Sequence, residues 1–82
     1  MIVEVKQKVH PNDISDLIER KIPNFRILFP EYAHKKIVGC LAGLVVPNDV
    51  QELAENSGLL VLSQSGEDIA ILNSKDFKPA IL

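Results

Sequence analysis

Apolar and polar residues alternate at the start of the chain: Ile2, Glu4 and Lys6 fall on one face, Val3 and Val5 on the other. That period of two predicts a short strand over residues 2–6. The period then lengthens. Ile14, Leu17, Ile18, Ile22, Phe25, Leu28 and Phe29 recur every three or four positions, which predicts a helical stripe. Pro11 suits the first turn of that helix. Asn12 and Asp13 follow it, and negative charge near a helix N-terminus is favoured by the dipole. Pro23 interrupts the pattern. An interior proline removes a hydrogen bond and crowds the preceding turn, at about 3 kcal/mol, so a kink near residues 19–23, or two shorter helices, is expected. Pro30 ends the segment.

A polar connection, 32–36, leads into residues 37–46, which are nearly all apolar. Without alternation, this stretch is expected to be a central parallel strand covered on both faces. Pro47, Asn48 and Asp49 open a second helix, with Val50, Leu53 and Ala54 on its buried side. Asn56, Ser57 and Gly58 close it, glycine accepting the left-handed conformation of a helix end. Residues 59–62 and 69–72 read as two more strands joined by a turn at 65–68, hence a hairpin. Residues 73–82 form a tail.

The order strand–helix–strand–helix–strand–strand predicts a small α/β domain with a mostly parallel sheet and a C-terminal hairpin. Two right-handed crossovers running the same way put both helices on one face. The other face then lies bare, although the central strands offer apolar side chains to both sides. A patch of that kind is larger than a soluble monomer tolerates, and the first strand also has a free edge. A cover is therefore expected: a second copy, a partner, or preceding polypeptide.

Composition narrows the classes. Eighty-two residues make one domain at most, residues 1–82, with a modest aliphatic core: 46% are hydrophobic and only 5% aromatic. A net charge of −2 gives no basic field to gather nucleic acid. The longest uncharged apolar run, 37–46, is too short to span a bilayer. The one cysteine, Cys40, has no second thiol for a disulfide or a metal. It is read as a small buried hydrophobe, and it favours a reducing, cytoplasmic setting.

Candidate chemistry centres on Glu4-x-Lys6. Alternate residues of a strand project to the same side, roughly 7 Å apart. A carboxylate and an ammonium so placed could ligate a divalent cation and hold a water or a phosphate oxygen beside it. The same pair also suits the wet face of an amphipathic strand. His10, flanking the helix start, has no partner at metal-ligand spacing. Asp13 and Asp16 read as helix-surface charges, and His34, Lys35 and Lys36 as a solvated basic connector. Gln7 reads as a strand-end polar residue, and Glu67 and Asp68 as turn residues.

The Glu-x-Lys strand, the helix after it and the glycine-containing apolar strand together resemble the second half of the PD-(D/E)XK (restriction-endonuclease-like) nuclease core. The segments 25–32, 35–39, 42–47, 58–62, 64–66 and 77–79 are similar to a nuclease-like group of unknown function. The resemblance implies Mg²⁺-dependent phosphodiester hydrolysis, with Glu4 as metal ligand and Lys6 as the orienting cation, and a nucleic acid substrate. In that family another acid lies on a strand before the Glu-x-Lys strand. Met1 stands three residues before Glu4, so the expectation is an N-terminally truncated core, inactive as it stands. The alternative is a non-catalytic module that dimerises, or binds another protein, through the open sheet face or the edge strand.

Overall fold

A computed structural model describes residues 1–82, apart from the side chain of Ser65. The strand predicted at the N-terminus runs slightly further, β1 at Ile2–Lys8. After Val9 and His10 the chain turns into α1, Pro11–Asp16. A five-residue π-helical turn follows at Leu17–Lys21, and then α2, Ile22–Leu28. The kink expected near 19–23 takes the form of this π turn. The Ile22 N–H donates to the Leu17 carbonyl, five residues back. The wider turn lets Pro23 follow without ending the helix. The extra residue also rotates the apolar stripe. Ile14, Leu17 and Ile22 are buried and Ile18 and Phe25 pack beside them, but Leu28, expected on the buried stripe, is 73% exposed, and Phe29 is largely exposed too.

The remaining elements are β2 (Gly39–Val45), α3 (Asn48–Asn56), β3 (Leu60–Ser65) and β4 (Asp68–Ile71). The sheet order is β1-β2-β3-β4. β2 lies parallel to both β1 and β3, and β4 closes an antiparallel hairpin on β3. Residues 37 and 38 lead into β2 rather than belonging to it. Val50 and Ala54 of α3 are buried as expected, whereas Leu53 is exposed.

Val50, Ala54, Ile14, Leu17 and Ile22 join Leu41, Leu59 and Val61 of the sheet side in one cluster. All the helices therefore lie on one face, as right-handed crossovers of equal sense require. The register decides what lies on the other. Val3 and Val5 sit beside Cys40 and Ala42, which sit beside Leu60 and Leu62, and Ile71 follows beside Leu62. With Leu44 and Ile69 these positions form the open face. Cys40 is fully buried there, but Val5, Leu44, Ile69 and Ile71 are exposed. The expectation that residues 37–46 would be covered on both faces fails at Leu44 and Val45, which are about half exposed at the end of β2.

The tail is docked rather than loose. The Asn73 carboxamide accepts from the Val61 N–H (2.7 Å) and donates to the Leu59 carbonyl (3.1 Å), taking the place of a strand residue where β4 ends. Ala80 then donates to the Gly58 carbonyl and Leu82 to that of Ile37. Gly58 has φ +84°, and an added Cβ would collide with Ala80; both facts require glycine there.

Candidate functional site

Alternation along β1 sends Glu4 and Lys6 to the helix-covered side, next to Ile2. The following helix runs back over the sheet, so its start lies near the end of β1 and its π turn near the middle. Lys21 accordingly reaches Glu4, with Nζ 2.5 Å from Oε1, and Asp13 reaches Lys6, with Oδ1 3.8 Å from Nζ. Lys6 is also 3.5 Å from the Glu4 carboxylate. Lys21 extends the network to Asp16 (3.5 Å), and Arg20 completes it with an i,i+4 pair to Asp16 (2.8 Å). Three acids and three bases thus link the strand to the helix.

Asp13 has a second task. Its carboxylate accepts from the His10 N–H at 2.8 Å, while the Asp13 N–H returns to the His10 carbonyl. This closes the first turn of α1. Asp13 and Asp16 are therefore not free surface charges, as their helix positions suggest. Their side chains are only 16% and 27% exposed. Lys21, which the strand motif gives no reason to single out, is the nearest partner of Glu4. The hydrogen bond to Glu4 is the main cause holding its ammonium above the ordinary pKa, against a smaller opposing effect of burial.

This arrangement ties strand to helix better than it holds a metal. Glu4 is the acid on β1, and two ammonium groups already flank its carboxylate. Mg²⁺ takes octahedral oxygen coordination, and no group of three or more His, Cys, Asp or Glu among the described residues is placed to hold a metal ion. The residues present do not fit the metal that the family resemblance implies.

The other candidates lie apart. Gln7 falls between Lys6 and Lys8, which both project to the helix side, so alternation sends it to the open face. His10 is exposed ahead of α1 and bonds through its backbone. Lys35 and Lys36 border an open hollow with Phe25 and Tyr32, beside His34 in an exposed connector. Arg26 pins that connector by donating to the carbonyls of Ala33 and Lys35 and to Leu82. Gly66 and the exposed Glu67 form the two-residue hairpin loop before Asp68. Cys40 is a free, buried thiol, raised in pKa by desolvation.

The feature that stands out is the open face. A hollow of about 210 Å³ sits over Ala42, rimmed by Val5, Leu44, Leu62 and Ile69, with Lys6, Ser63 and Gln64 also lining it. No helix among the described residues is long and apolar enough to cross a membrane. In comparisons with family models, curated proteins and solved structures, nothing matches this chain.

Proposed function

We propose that this chain is a non-catalytic interaction module of nuclease-like ancestry whose working surface is the open face of its sheet. The supporting observation is the exposure of aliphatic side chains aligned across several strands. Val5 is 72% and Ile69 70% exposed, and Leu44 and Ile71 lie between and beside them. Each such side chain gains about 1.5–3 kcal/mol when fully buried, so a covered face is favoured strongly over a wet one. Glu4 and Lys6 serve the fold in this reading, as the sheet end of a strand–helix ion network.

The test is the native size of the tagged protein in fresh cell extract. Wild type elutes above the monomer mass, and the double variant Val5→Glu/Leu44→Glu elutes at it. Wild type at the monomer mass in extract rejects the proposal.

One observation favours a second reading, phosphodiester hydrolysis at Glu4 and Lys6: the two side chains project together from β1 with their charged groups 3.5 Å apart. Plasmid cleavage in Mg²⁺ or Mn²⁺ that disappears in both Glu4→Ala and Lys6→Ala would establish it. Cleavage indifferent to both would dismiss it.

A further inference from the structure

We propose that the occupant of the open face is a second copy of this chain, packed sheet to sheet about a two-fold axis. The inference rests on the reading above that this face is the working surface, and it adds the identity of the partner.

Charge is the first argument. Strand positions that point to the open side are uncharged, the polar ones being Gln7 and Gln64, because alternation sends Glu4, Lys6, Lys8 and Asp68 the other way. Lys6 is the one charged residue that lines the hollow, and its ammonium is turned away to Glu4 and Asp13, so an acidic or basic partner finds no counter-charge here. A second copy meets no like charge, and a net charge of −2 adds little repulsion between subunits.

Shape is the second. Ala42 floors the hollow, and Leu44, exposed on its rim, lies two residues along the same strand. An axis lying between the two sheets and crossing β2 midway between these residues seats each Leu44 over the other copy's Ala42. It also brings Ile69 over the other copy's Ile71, since those positions share the levels of Leu44 and Ala42 in the register. Such a contact is isologous and closed, so it stops at two copies.

Area is the third. With strands about 4.8 Å apart and about 3.4 Å per residue, four strands of this length present a face roughly 19 Å by 20 Å. Two such faces come to roughly 760 Å² as flat area, and the relief of the exposed side chains brings the accessible surface buried to the order of the roughly 1,000 Å² that a specific interface requires. Sheets packed this way sit about 10 Å apart.

The experiment is sedimentation of the purified full chain with charge-swapped variants. Wild type is expected at twice the chain mass. Leu44→Glu and Leu44→Lys are each expected at the single-chain mass, with circular dichroism unchanged because the position is exposed. Mixing the two variants is expected to restore the doubled mass. If either variant misfolds, Ile69→Glu mixed with Ile71→Lys, both on the exposed edge strand, makes the same test. A purified wild type that sediments as a monomer overturns the inference; where the protein in extract is still larger than a monomer, the broader reading stands and the partner is another molecule. A dimer indifferent to both Leu44 variants also overturns it, and points to pairing at the β1 or β4 edge. Variants that stay monomeric when mixed overturn it as well.

Discussion

Replacing Glu4 by glutamine separates a structural role from a catalytic one through the sign of the stability change. The carboxylate lies 2.5 Å from the Lys21 ammonium and 3.5 Å from that of Lys6. Unit charges about 4 Å apart attract by about 4 kcal/mol at an effective dielectric of 20 and by about 1 kcal/mol in water. The Glu4 side chain is 24% exposed and that of Lys21 33%, so solvent screening and side-chain ordering reduce the net value to about 1 kcal/mol. Removing the charge also leaves two ammonium groups facing each other without their shared acid. Glu4→Gln is therefore expected to destabilise the fold by about 1 kcal/mol, a fall in Tm of about 4–8 °C for a domain of this size. A double-mutant cycle with Lys21→Met, read by urea denaturation, isolates the pair and is expected to give a coupling of about 0.5–1 kcal/mol. A catalytic carboxylate behaves in the opposite way, since active sites carry destabilising arrangements that substitution relieves. A Glu4→Gln protein that is more stable than wild type, or a cycle with no coupling, would refute the structural assignment.

The remaining predictions concern the core, the tail and pH. Leu41→Ala, at a fully buried position of the central strand, is expected to cost about 2–5 kcal/mol by denaturant titration. Gly58→Ala places a side chain at φ +84° and against Ala80; a loss of about 1–3 kcal/mol and faster proteolysis of residues 73–82 are expected. Cys40, fully buried, is expected to react with a thiol reagent only on opening, so that its labelling rate follows unfolding across urea concentrations. Lys21 is raised above its ordinary 10.5 by Glu4, so its contribution is present below that pH and lost as pH rises through the folded value. Cys40, raised above 9.0 by burial, loses stability in the same direction. Tm measured on the alkaline side for Lys21→Met and Cys40→Ser separates the two, each variant being expected to flatten part of the decline.

The order of elements, the parallel pairing, the single helical face and the hairpin are all legible in the sequence. Each follows from a period or from a chirality rule, and neither depends on detail. The losses occur where one residue changes the phase. The π turn adds a residue before Pro23, and of the stripe carried past it Phe25 still packs against the core while Leu28 and Phe29 end exposed. Leu53 has the right spacing but lies at the rim of α3's buried side. The tail looks unstructured because what holds it is a single carboxamide, Asn73, and isolated backbone bonds from Ala80 and Leu82, none of which leaves a periodic signal. The ion network was partly legible. A helix returning antiparallel over β1 must meet Lys6 first and Glu4 later, and the chain offers Asp13 first and Lys21 later, in complementary order. Spacing alone does not show how far the π turn swings Lys21 inward.

The two faces of β1 carry opposite messages, and their balance decides how Glu4-x-Lys6 is weighed. A metal-dependent site keeps its charged groups short of partners until substrate or cation arrives, so unsatisfied charge is what marks it. On the helix side of β1 the charges of this pair are matched, by Lys21 for Glu4 and by Asp13 for Lys6. What lacks a partner is the other side, where Val3 and Val5 of β1 continue into Leu44 of β2 and Ile69 and Ile71 of β4. Burial drives association in proportion to apolar area, and that area carries no charged side chain and runs from one edge strand, β1, to the other, β4. The stronger physical demand in this chain is thus for a surface to cover its sheet, and the ion network beneath β1 keeps that sheet in register with the helix behind it.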